Sequence, residues 1–485
     1  MESQYAITNY HNVDDIYDKI DKLLTQPIRQ VKRDKMDDYL KYFEIHCQQS
    51  KTTTSNAKQY IPGGVQHNLA FNYPFPLVFT KAEGAFLHDL DGNKYIDFLQ
   101  AGGATVLGSN YPLVKEKVIE LLDTCGPVTG LFHEYEMKIA EFICKRFTGV
   151  DKFRMLGSGT EGVMAAIRIA RKATGKKKII KLGGAYHGWS DQMVYGIRIP
   201  GTRGFEAHGI PKSSIKHTQE VKPNCINSLE KLLKINKLQG GTAAVIVEPV
   251  GPESGTRPVN FDYNQKIRSL CDKYGALLIF DEVVTAFRIG VSGAQGYYNV
   301  IPDLTVFGKA VAGGYPSAGG IGGKDEFMAF LSAGIGGAKK KVMVGGTLAA
   351  NPLSSAAGYY SLTEIEKQNA CEKAGKAGDR LTKGLQLLIE KYNLPFVAYN
   401  QGSICHLETA GTMFVEVNVT KAWTIPSALK EIKMRKKLME EMGAAYMAEG
   451  IVTLAGSRMY TSMADTDGVI DDALNRFERV FQNIE

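Results

Sequence analysis

Short apolar runs alternate with amphipathic helical segments through the middle of the chain, from about residue 113 to about residue 355. Apolar runs of about four to eight residues bounded by turn residues are typical of buried strands. Because strands that alternate with helices form parallel sheets covered by helices, the pattern predicts an α/β domain with a mostly parallel sheet. The predicted strands are Lys178–Leu182, Ala243–Val250, Leu277–Phe280 and Leu304–Phe307.

The segments on either side of this region follow other patterns. Apolar residues recur at helical spacing in Val13–Leu24 and from about Asp34 to Ser50, which predicts a helical extension. Further on, Asp91-Gly92 predicts the turn of a hairpin, and Val469–Ile484 predicts a final amphipathic helix. The predicted parts are an N-terminal extension, the first part of a small domain, a large domain and the second part of the small domain, at residues 1–57, 58–112, 113–355 and 356–485.

Composition and charge narrow the class of protein. The chain has 485 residues, of which 44% are hydrophobic and 22% charged, as in large globular enzymes. The net charge of +7 is small for this length, and the lysine runs contain no aromatic residues, so we predict no nucleic-acid site. We predict no membrane span, because no stretch approaches the roughly 20 apolar residues that a span needs.

Cysteine usage and the N-terminus predict the compartment. The seven cysteines are odd in number and show no Cys-x-x-Cys spacing, which argues against a disulfide framework and against a zinc site. The first residues have no basic region followed by an apolar core, so they do not resemble a signal peptide. We therefore expect a cytoplasmic protein without a structural metal.

Two of the predicted strands end in a charged residue. Leu277–Phe280 is followed by Asp281, and Leu304–Phe307 is followed by Gly308 and Lys309. Open α/β sheets bind ligands at the carboxyl ends of their strands, so an acid and an amine are expected at one edge. Pyridoxal phosphate (PLP) needs such a pair, because its aldehyde forms a Schiff base with lysine and an acid keeps its pyridinium nitrogen protonated. A buried ion pair would give the same pattern and stays open.

A glycine-rich segment, Gly157–Gly162, precedes a predicted helix over Val163–Ala173. It has the spacing of a dinucleotide-binding loop, but the following strand ends without the acidic residue that such a site uses. We interpret it as a phosphate cradle at a helix N-terminus, with the hydroxyl groups of Ser158 and Thr160 and backbone N–H groups as donors. A glycine-rich helix cap without a ligand is the alternative.

Two further loops are candidates for contact with a cofactor. Tyr186 and His187 follow the strand Lys178–Leu182, and a tyrosine ring stacked on an aromatic ligand gains about 0.5–1.5 kcal/mol beyond burial. Thr347 lies in a glycine-rich loop before a predicted helix, where it could donate to a phosphate. A packed corner at His187 and a simple turn at Thr347 remain open on these segments alone.

Together these motifs resemble the class III (fold-type I) PLP-dependent aminotransferases, nearest the glutamate-1-semialdehyde aminomutase branch. The resemblance covers about 430 residues, from about Ser50 to the C-terminus. The segments that carry it are Ile61–Val65, Asp91–Asp97, Gly157–Glu161, Tyr186–Gly188, Val247–Pro249, Phe280–Val283, Gly293–Tyr298, Pro302–Thr305, Gly308-Lys309 and Gly346-Thr347 with Asn351-Pro352.

The resemblance implies a fold and a role for each motif. It implies a seven-stranded, mostly parallel sheet in a large domain, and a smaller α+β domain formed by both termini. Lys309 would carry PLP as a Schiff base, and Asp281 would pair with the pyridinium nitrogen. Thr347 would reach the phosphate of the neighbouring subunit, which implies a homodimer. The phosphate would be bound by Ser158, Gly159 and Thr160, and the ring would pack against Tyr186 and Val283. His187 would lie beside the cofactor.

One departure from the family pattern concerns the substrate. In the aminomutase, the Pro-Gly-Gly-Val motif is followed by an arginine that takes the substrate carboxylate, and Ala70 stands at that position here. Losing a bidentate arginine removes geometric specificity as well as affinity. His67, Asn68 and Phe71 indicate a donor whose far end is less acidic or differently placed. Arg458 is the expected cation for the acceptor carboxylate.

These features leave three classes of function. The first is an aminotransferase that moves an amino group from a β- or ω-amino donor, such as a β-amino acid or 3-aminobutyryl-CoA, to a 2-oxo acid such as 2-oxoglutarate. The second is a glutamate-1-semialdehyde 2,1-aminomutase or a PLP-dependent amino-acid epimerase of the same fold. The third is a non-catalytic binding protein with the fold of the PLP enzymes, which the presence of both Lys309 and Asp281 disfavours.

Overall fold

A computed structural model describes residues 5–70, 72–334, 341–415, 417 and 425–485. Its helices in chain order are α1 (Val13–Thr25), α2 (Arg33–His46), α3 (Gln48–Ala57), α4 (Gln100–Gly103), α5 (Pro112–Thr124), α6 (Glu134–Arg146), α7 (Gly159–Thr174), α8 (Lys212–Ile215), α9 (Ile226–Lys237), α10 (Tyr263–Tyr274), α11 (Gly293–Tyr298), α12 (Asp325–Met328), α13 (Pro352–Lys367), α14 (Ala370–Lys391), α15 (Ile425–Ala448) and α16 (Asp467–Phe481). Its strands are β1 (Phe79–Glu83), β2 (Phe86–Asp89), β3 (Lys94–Asp97), β4 (Lys152–Leu156), β5 (Lys178–Leu182), β6 (Thr218–Val221), β7 (Thr242–Val247), β8 (Leu277–Asp281), β9 (Leu304–Gly308), β10 (Gly319–Gly323), β11 (Val397–Gln401), β12 (Ile404–Glu408), β13 (Ile451–Val452) and β14 (Arg458–Tyr460).

The chain divides into two compact units. Unit 1 is built mainly from Pro112–Glu372, and unit 2 from Ala6–Tyr111, Lys373–Val415 and Pro426–Glu485. Unit 1 extends past residue 355 because α13 packs against α5 and α6. The N-terminal helices are not a separate arm, because residues such as Phe43 and Cys47 are buried in the apolar core of unit 2.

Unit 1 contains a seven-stranded sheet in the order β4-β10-β9-β8-β7-β5-β6. Every neighbouring pair is parallel except those that involve β10, which is antiparallel to both β4 and β9. The expected α/β fold with a mostly parallel sheet of seven strands is confirmed. The side chains of β7 are all buried, as expected of a strand that has helices on both faces of its sheet.

The predicted strands of this sheet differ from the observed ones mainly at their ends. The strand predicted over Ala243–Val250 ends at Val247, because the buried side chain of Glu248 is turned to accept hydrogen bonds from neighbouring loops. Helix α7 begins at Gly159, earlier than the predicted Val163, because Ser158 caps it. The early end of β7 leaves Glu248 in a loop at the carboxyl edge of the sheet, whereas β8 and β9 each extend one residue beyond their predicted ends, to Asp281 and Gly308.

Unit 2 contains two smaller sheets, in the orders β1-β2-β3-β13 and β11-β12-β14. The hairpin predicted around Asp91-Gly92 is present as the antiparallel pair β2 and β3. The single helix predicted from Asp34 to Ser50 is wrong, because it breaks at Cys47, whose ψ of 35° is not helical. A second helix starts there because the Asp91 carboxylate accepts the N–H groups of Gln49 at 2.7 Å and Ser50 at 3.0 Å.

Among residues 5–70, 72–334, 341–415, 417 and 425–485, no helix combines the length and the apolar character needed to cross a bilayer. The helices that pack on the sheet of unit 1 are instead amphipathic, with apolar residues of α7 such as Ile167 and Ile169 buried in its core.

Candidate functional site

The carboxyl ends of the parallel strands in unit 1 lie at the same edge of the sheet. Asp281 is the last residue of β8, and Lys309 follows directly after β9. The backbone of Lys309 has a φ of 46°, in the left-handed region that residues other than glycine rarely adopt. Such strained positions cluster at functional sites, where the surrounding fold enforces them. The sequence-predicted acid and amine therefore stand at the ends of adjacent strands.

Asp281 is paired with a histidine in the interior. His187 Nδ1 lies 2.7 Å from Asp281 Oδ2, and the two residues are 1% and 5% exposed. Burial lowers the pKa of His187, although the Asp281 carboxylate raises it. The other carboxylate oxygen accepts the N–H of Val283 at 3.2 Å. Within the described residues, His187 Nε2 is a buried nitrogen without a hydrogen bond.

The N-terminus of α7 is arranged to receive an anion. Ser158 caps the helix, since its Oγ accepts the N–H of Glu161 at 3.2 Å. The Glu161 carboxylate in turn accepts the N–H of Gly157 at 2.9 Å. Gly159 and Thr160 are the first two residues of the helix, so their N–H groups have no partner inside it. Free N–H groups and the helix dipole together make such an end an anion site.

Glycine residues allow the N-terminal end of α7 to pack closely against the two strand ends. A Cβ atom at Gly159 would lie 2.6 Å from one methyl group of Val283, and a Cβ at Gly308 would lie 2.7 Å from the other. A Cβ at Gly188 would overlap Thr160. Glycine is therefore required at these contacts, and it brings Val283 and the loop after His187 against the helix end.

The loop that follows β5 is held by two buried charged residues. The Tyr186 side chain is 45% exposed, whereas its N–H donates to Glu248 Oε1 at 2.9 Å. Lys181 Nζ donates to the backbone oxygens of Ala185 at 2.7 Å and Tyr195 at 2.8 Å. Sequence reasoning assigned no role to either charged residue, although a lysine inside the apolar strand Lys-Ile-Ile-Lys-Leu was a visible signal.

The remaining predicted residues lie in other loops and in unit 2. Thr347 is exposed, in the loop that precedes α13, and a Cβ at the neighbouring Gly346 would lie 3.3 Å from the Glu161 carboxylate. His67 and Asn68 are exposed in unit 2, where a short 3₁₀ turn covers Asn68–Ala70. Arg458 is buried on β14 of unit 2, opposite His406. Phe71 lies outside the described residues.

The residues of unit 1 fit the parts of PLP. The end of α7 matches a phosphate, and the buried Asp281 matches a protonated ring nitrogen. Lys309 has the amine that a Schiff base requires, and Val283 offers an apolar surface beside Gly308. A metal ion has no comparable site in the described ranges, where no group of three or more His, Cys, Asp or Glu side chains could ligate one.

Comparisons with known proteins identify the family of the chain. Residues 69–480 match the sequence profile described as aminotransferase class-III. A protein from Lachnoclostridium phytofermentans named glutamate-1-semialdehyde 2,1-aminomutase 2 is 36% identical over 437 residues, which cover 88% of this chain and 99% of the relative.

Two solved structures are similar over nearly the whole chain. An omega-transaminase from Sphaerobacter thermophilus has a TM-score of 0.78 and 25% identity, and the match covers 90% of this chain and 97% of that one. A β-phenylalanine aminotransferase from Variovorax paradoxus has a TM-score of 0.77 and 25% identity, with 95% and 97% covered. The matches extend well beyond the site and include both units.

Proposed function

The chain belongs to the class-III aminotransferases and is a PLP-dependent aminotransferase, and we propose that it moves an amino group from a β- or ω-amino donor to a 2-oxo acid. The assignment of the reacting residues rests on the ends of the adjacent parallel strands β8 and β9. Asp281 ends β8 and Lys309 follows β9, and Val283 packs against both Gly159 at the helix end and Gly308.

Each residue of the edge takes one task in this proposal. PLP supplies an aldehyde that accepts the amino group and a ring that withdraws electrons from the substrate carbon. Lys309 holds it through Nζ and then moves a proton at the substrate carbon, first as a base and then as an acid. Asp281 would accept a hydrogen bond from the protonated ring nitrogen and balance its positive charge.

The end of α7 binds the phosphate. Since Ser158 Oγ accepts the Glu161 N–H, its own proton remains available for a phosphate oxygen. The N–H groups of Gly159 and Thr160 add two further donors. Val283 and Tyr186 pack on the two faces of the ring, and His187 keeps the Asp281 carboxylate oriented through its hydrogen bond.

Ala70 supports the choice of donor. Its methyl group replaces the arginine that the resemblance predicts for a substrate carboxylate, and the neighbouring His67 and Asn68 are polar but carry no fixed positive charge. A donor with a neutral or masked far end loses little from this change. The similarity to a β-phenylalanine aminotransferase supports a donor whose amino group is not on the α-carbon. Arg458 is the cation proposed for the acceptor's carboxylate.

A second candidate is glutamate-1-semialdehyde 2,1-aminomutase. The relative with this name, which matches over 99% of its length, favours it. An aminomutase keeps the amino group on the same molecule and needs no external acceptor, so the two candidates differ in a measurable requirement.

The experiment that separates them mixes the PLP-loaded protein with single amino donors and no acceptor. A β- or ω-amino donor should bleach the visible absorbance of the bound cofactor, and 2-oxoglutarate or pyruvate should restore it. Rapid conversion of glutamate 1-semialdehyde to 5-aminolevulinate without any acceptor would instead support the aminomutase. Unchanged absorbance with every donor in the series would contradict an aminotransferase.

We also propose that the active form is a homodimer in which Thr347 binds the phosphate of the partner subunit's PLP. The exposed position of Thr347, on the loop before α13, supports this contact. PLP bound across an interface stabilises the assembled state, by about 2.7 kcal/mol at a hundredfold excess over Kd. Removing PLP should therefore lower the melting temperature and make it depend more on protein concentration. Sedimentation of the PLP-loaded protein as a monomer would contradict the proposal.

A further inference from the structure

One peptide group in unit 1 has both of its polar atoms bound by buried charged side chains. In the peptide between Ala185 and Tyr186, the carbonyl oxygen accepts from Lys181 Nζ at 2.7 Å, and the N–H donates to Glu248 Oε1 at 2.9 Å. Lys181 lies on β5, and Glu248 follows the neighbouring strand β7. The peptide is thus held from two adjacent strands at the edge where Asp281 stands.

Both charged groups are costly to bury. Lys181 is fully buried, and burial lowers the pKa of its amine to about 8. Burial, with the nearby Asp281 charge, raises the pKa of Glu248 to about 7. An apolar residue would suit a helix-covered strand better than Lys181 does, because burying an ion costs several kcal/mol. Both groups form hydrogen bonds to the backbone of loops, which indicates that they hold these loops in place.

The held peptide lies directly before the residues that face the cofactor in the proposed function. Tyr186 contributes its N–H to this peptide, and His187 is the next residue, bonded to Asp281 at 2.7 Å. Rotation of the peptide would tilt the Tyr186 ring, whereas His187 is held separately by its bond to Asp281. Glu248 also accepts the N–H of Glu253 at 2.7 Å and the hydroxyl of Ser254 at 2.8 Å, so it cannot follow such a rotation freely.

We propose that Lys181 and Glu248 are positioning residues that fix the Ala185–Tyr186 peptide and thereby set the orientation of the Tyr186 ring toward PLP. This inference rests on the proposed cofactor site and deepens it. The alternative is that the two charges only stabilise the core. The two ideas differ in one respect: positioning acts through the Tyr186 ring, whereas core stabilisation does not depend on that ring.

The test is a double-mutant cycle on the affinity for PLP and on the visible circular dichroism of bound PLP. Lys181→Met should weaken PLP binding about tenfold and change the dichroism, because the Ala185 carbonyl loses its donor. In a Tyr186→Ala background the same change should weaken binding less than about twofold. Lys178→Met is the matched control, since Lys178 lies on the same strand but its Nζ donates to the side chains of Asn236 and Gln239.

The outcomes separate the proposals. Equal loss of affinity in both backgrounds would overturn positioning, as would unchanged dichroism in Lys181→Met. If Lys181→Met does not fold, Glu248→Gln, which keeps the side-chain shape, is measured in the same double-mutant cycle. Additive effects of Glu248→Gln and Tyr186→Ala would again overturn positioning. Failure of the unaltered protein to bind PLP would instead refute the proposed function, and that result needs no variant.

Discussion

The carboxyl edge of the sheet in unit 1 and the segment from Ile61 to Ala70 in unit 2 carry the two halves of the proposed chemistry, and they are built differently. At the edge, Asp281 and His187 are almost fully buried and bonded to each other. In the segment, His67, Asn68 and Ala70 are exposed, and the N–H of Ala70 donates only to the nearby His67 carbonyl, at 2.9 Å.

The difference separates the constant part of the reaction from the variable part. A buried charge that loses its partner costs about 3–5 kcal/mol, so the residues of the edge cannot be exchanged singly. Exposed substitutions usually change stability by less than about 0.5 kcal/mol, so the segment can change without unfolding the protein. We therefore expect single substitutions at the edge to impair the protein, and substitutions in the segment to change donor specificity without unfolding it.

The largest expected effect tests the edge at Lys309. Lys309→Ala should lower kcat by about 10²–10⁴-fold or more, because the residue that moves the proton is removed. Borohydride treatment of the unaltered protein should fix PLP to Lys309, as shown by peptide mapping. Lys324→Ala is the control, since Lys324 also follows a strand of the sheet. Finding the reduced cofactor on Lys324 would refute the assignment.

The next effect compares two adjacent carboxylates. Asp281→Asn should lower kcat by about 10²–10³-fold, because a buried charge pair of about 3–5 kcal/mol is lost. Glu282→Gln should leave turnover per folded molecule unchanged, since Glu282 accepts the N–H of Ala294 at 2.6 Å and the hydroxyl of Thr285 at 2.9 Å instead. Steady-state kinetics normalised to bound PLP measure both, and equal losses in the two variants would contradict the distinction.

A smaller effect is expected in the segment. Ala70→Arg should raise kcat/KM for a donor with a free distal carboxylate by about one to two decades, the equivalent of roughly 1.5–3 kcal/mol. It should impair a donor with a neutral or bulky distal group, because an unpaired guanidinium is costly. Ala70→Gln, which lacks the charge, is the control. Efficient use of glutamate 1-semialdehyde by the unaltered protein would mean that another residue binds the carboxylate.

The smallest effect is a change in pH dependence. Burial raises the pKa of Glu282 from 4.5 to about 7, although the hydrogen bonds that its carboxylate accepts lower it. The folded state thus keeps a proton that the unfolded chain releases, so this group's contribution to stability falls as pH rises from about 5 to about 7. Glu282→Gln should remove a slope of up to about 1.4 kcal/mol per pH unit in urea unfolding. Glu390→Gln, at an exposed position of unit 2, should not.

Much of the fold followed from local pattern. The strand Lys178–Leu182 was predicted with its observed bounds, because a short apolar run between polar turns specifies a buried strand. The break between α2 and α3 was not predicted, because the acceptor that caps the second helix is Asp91, far along the chain. The end of β7 was missed for the same reason, since Glu248 bonds to residues of two different loops.

The sequence by itself determined the α/β architecture, the family, and the expectation that Asp281 and Lys309 meet at one sheet edge, because periodicity and strand ends are local properties of the chain. The tertiary structure decided the partners: that His187 bonds Asp281, that Val283 packs between Gly159 and Gly308, and that Lys181 and Glu248 hold one peptide. The Lys181–Ala185 bond spans only four positions, but the Glu248–Tyr186 bond spans 62 and the His187–Asp281 bond spans 94. Only the folded sheet brings such distant residues together.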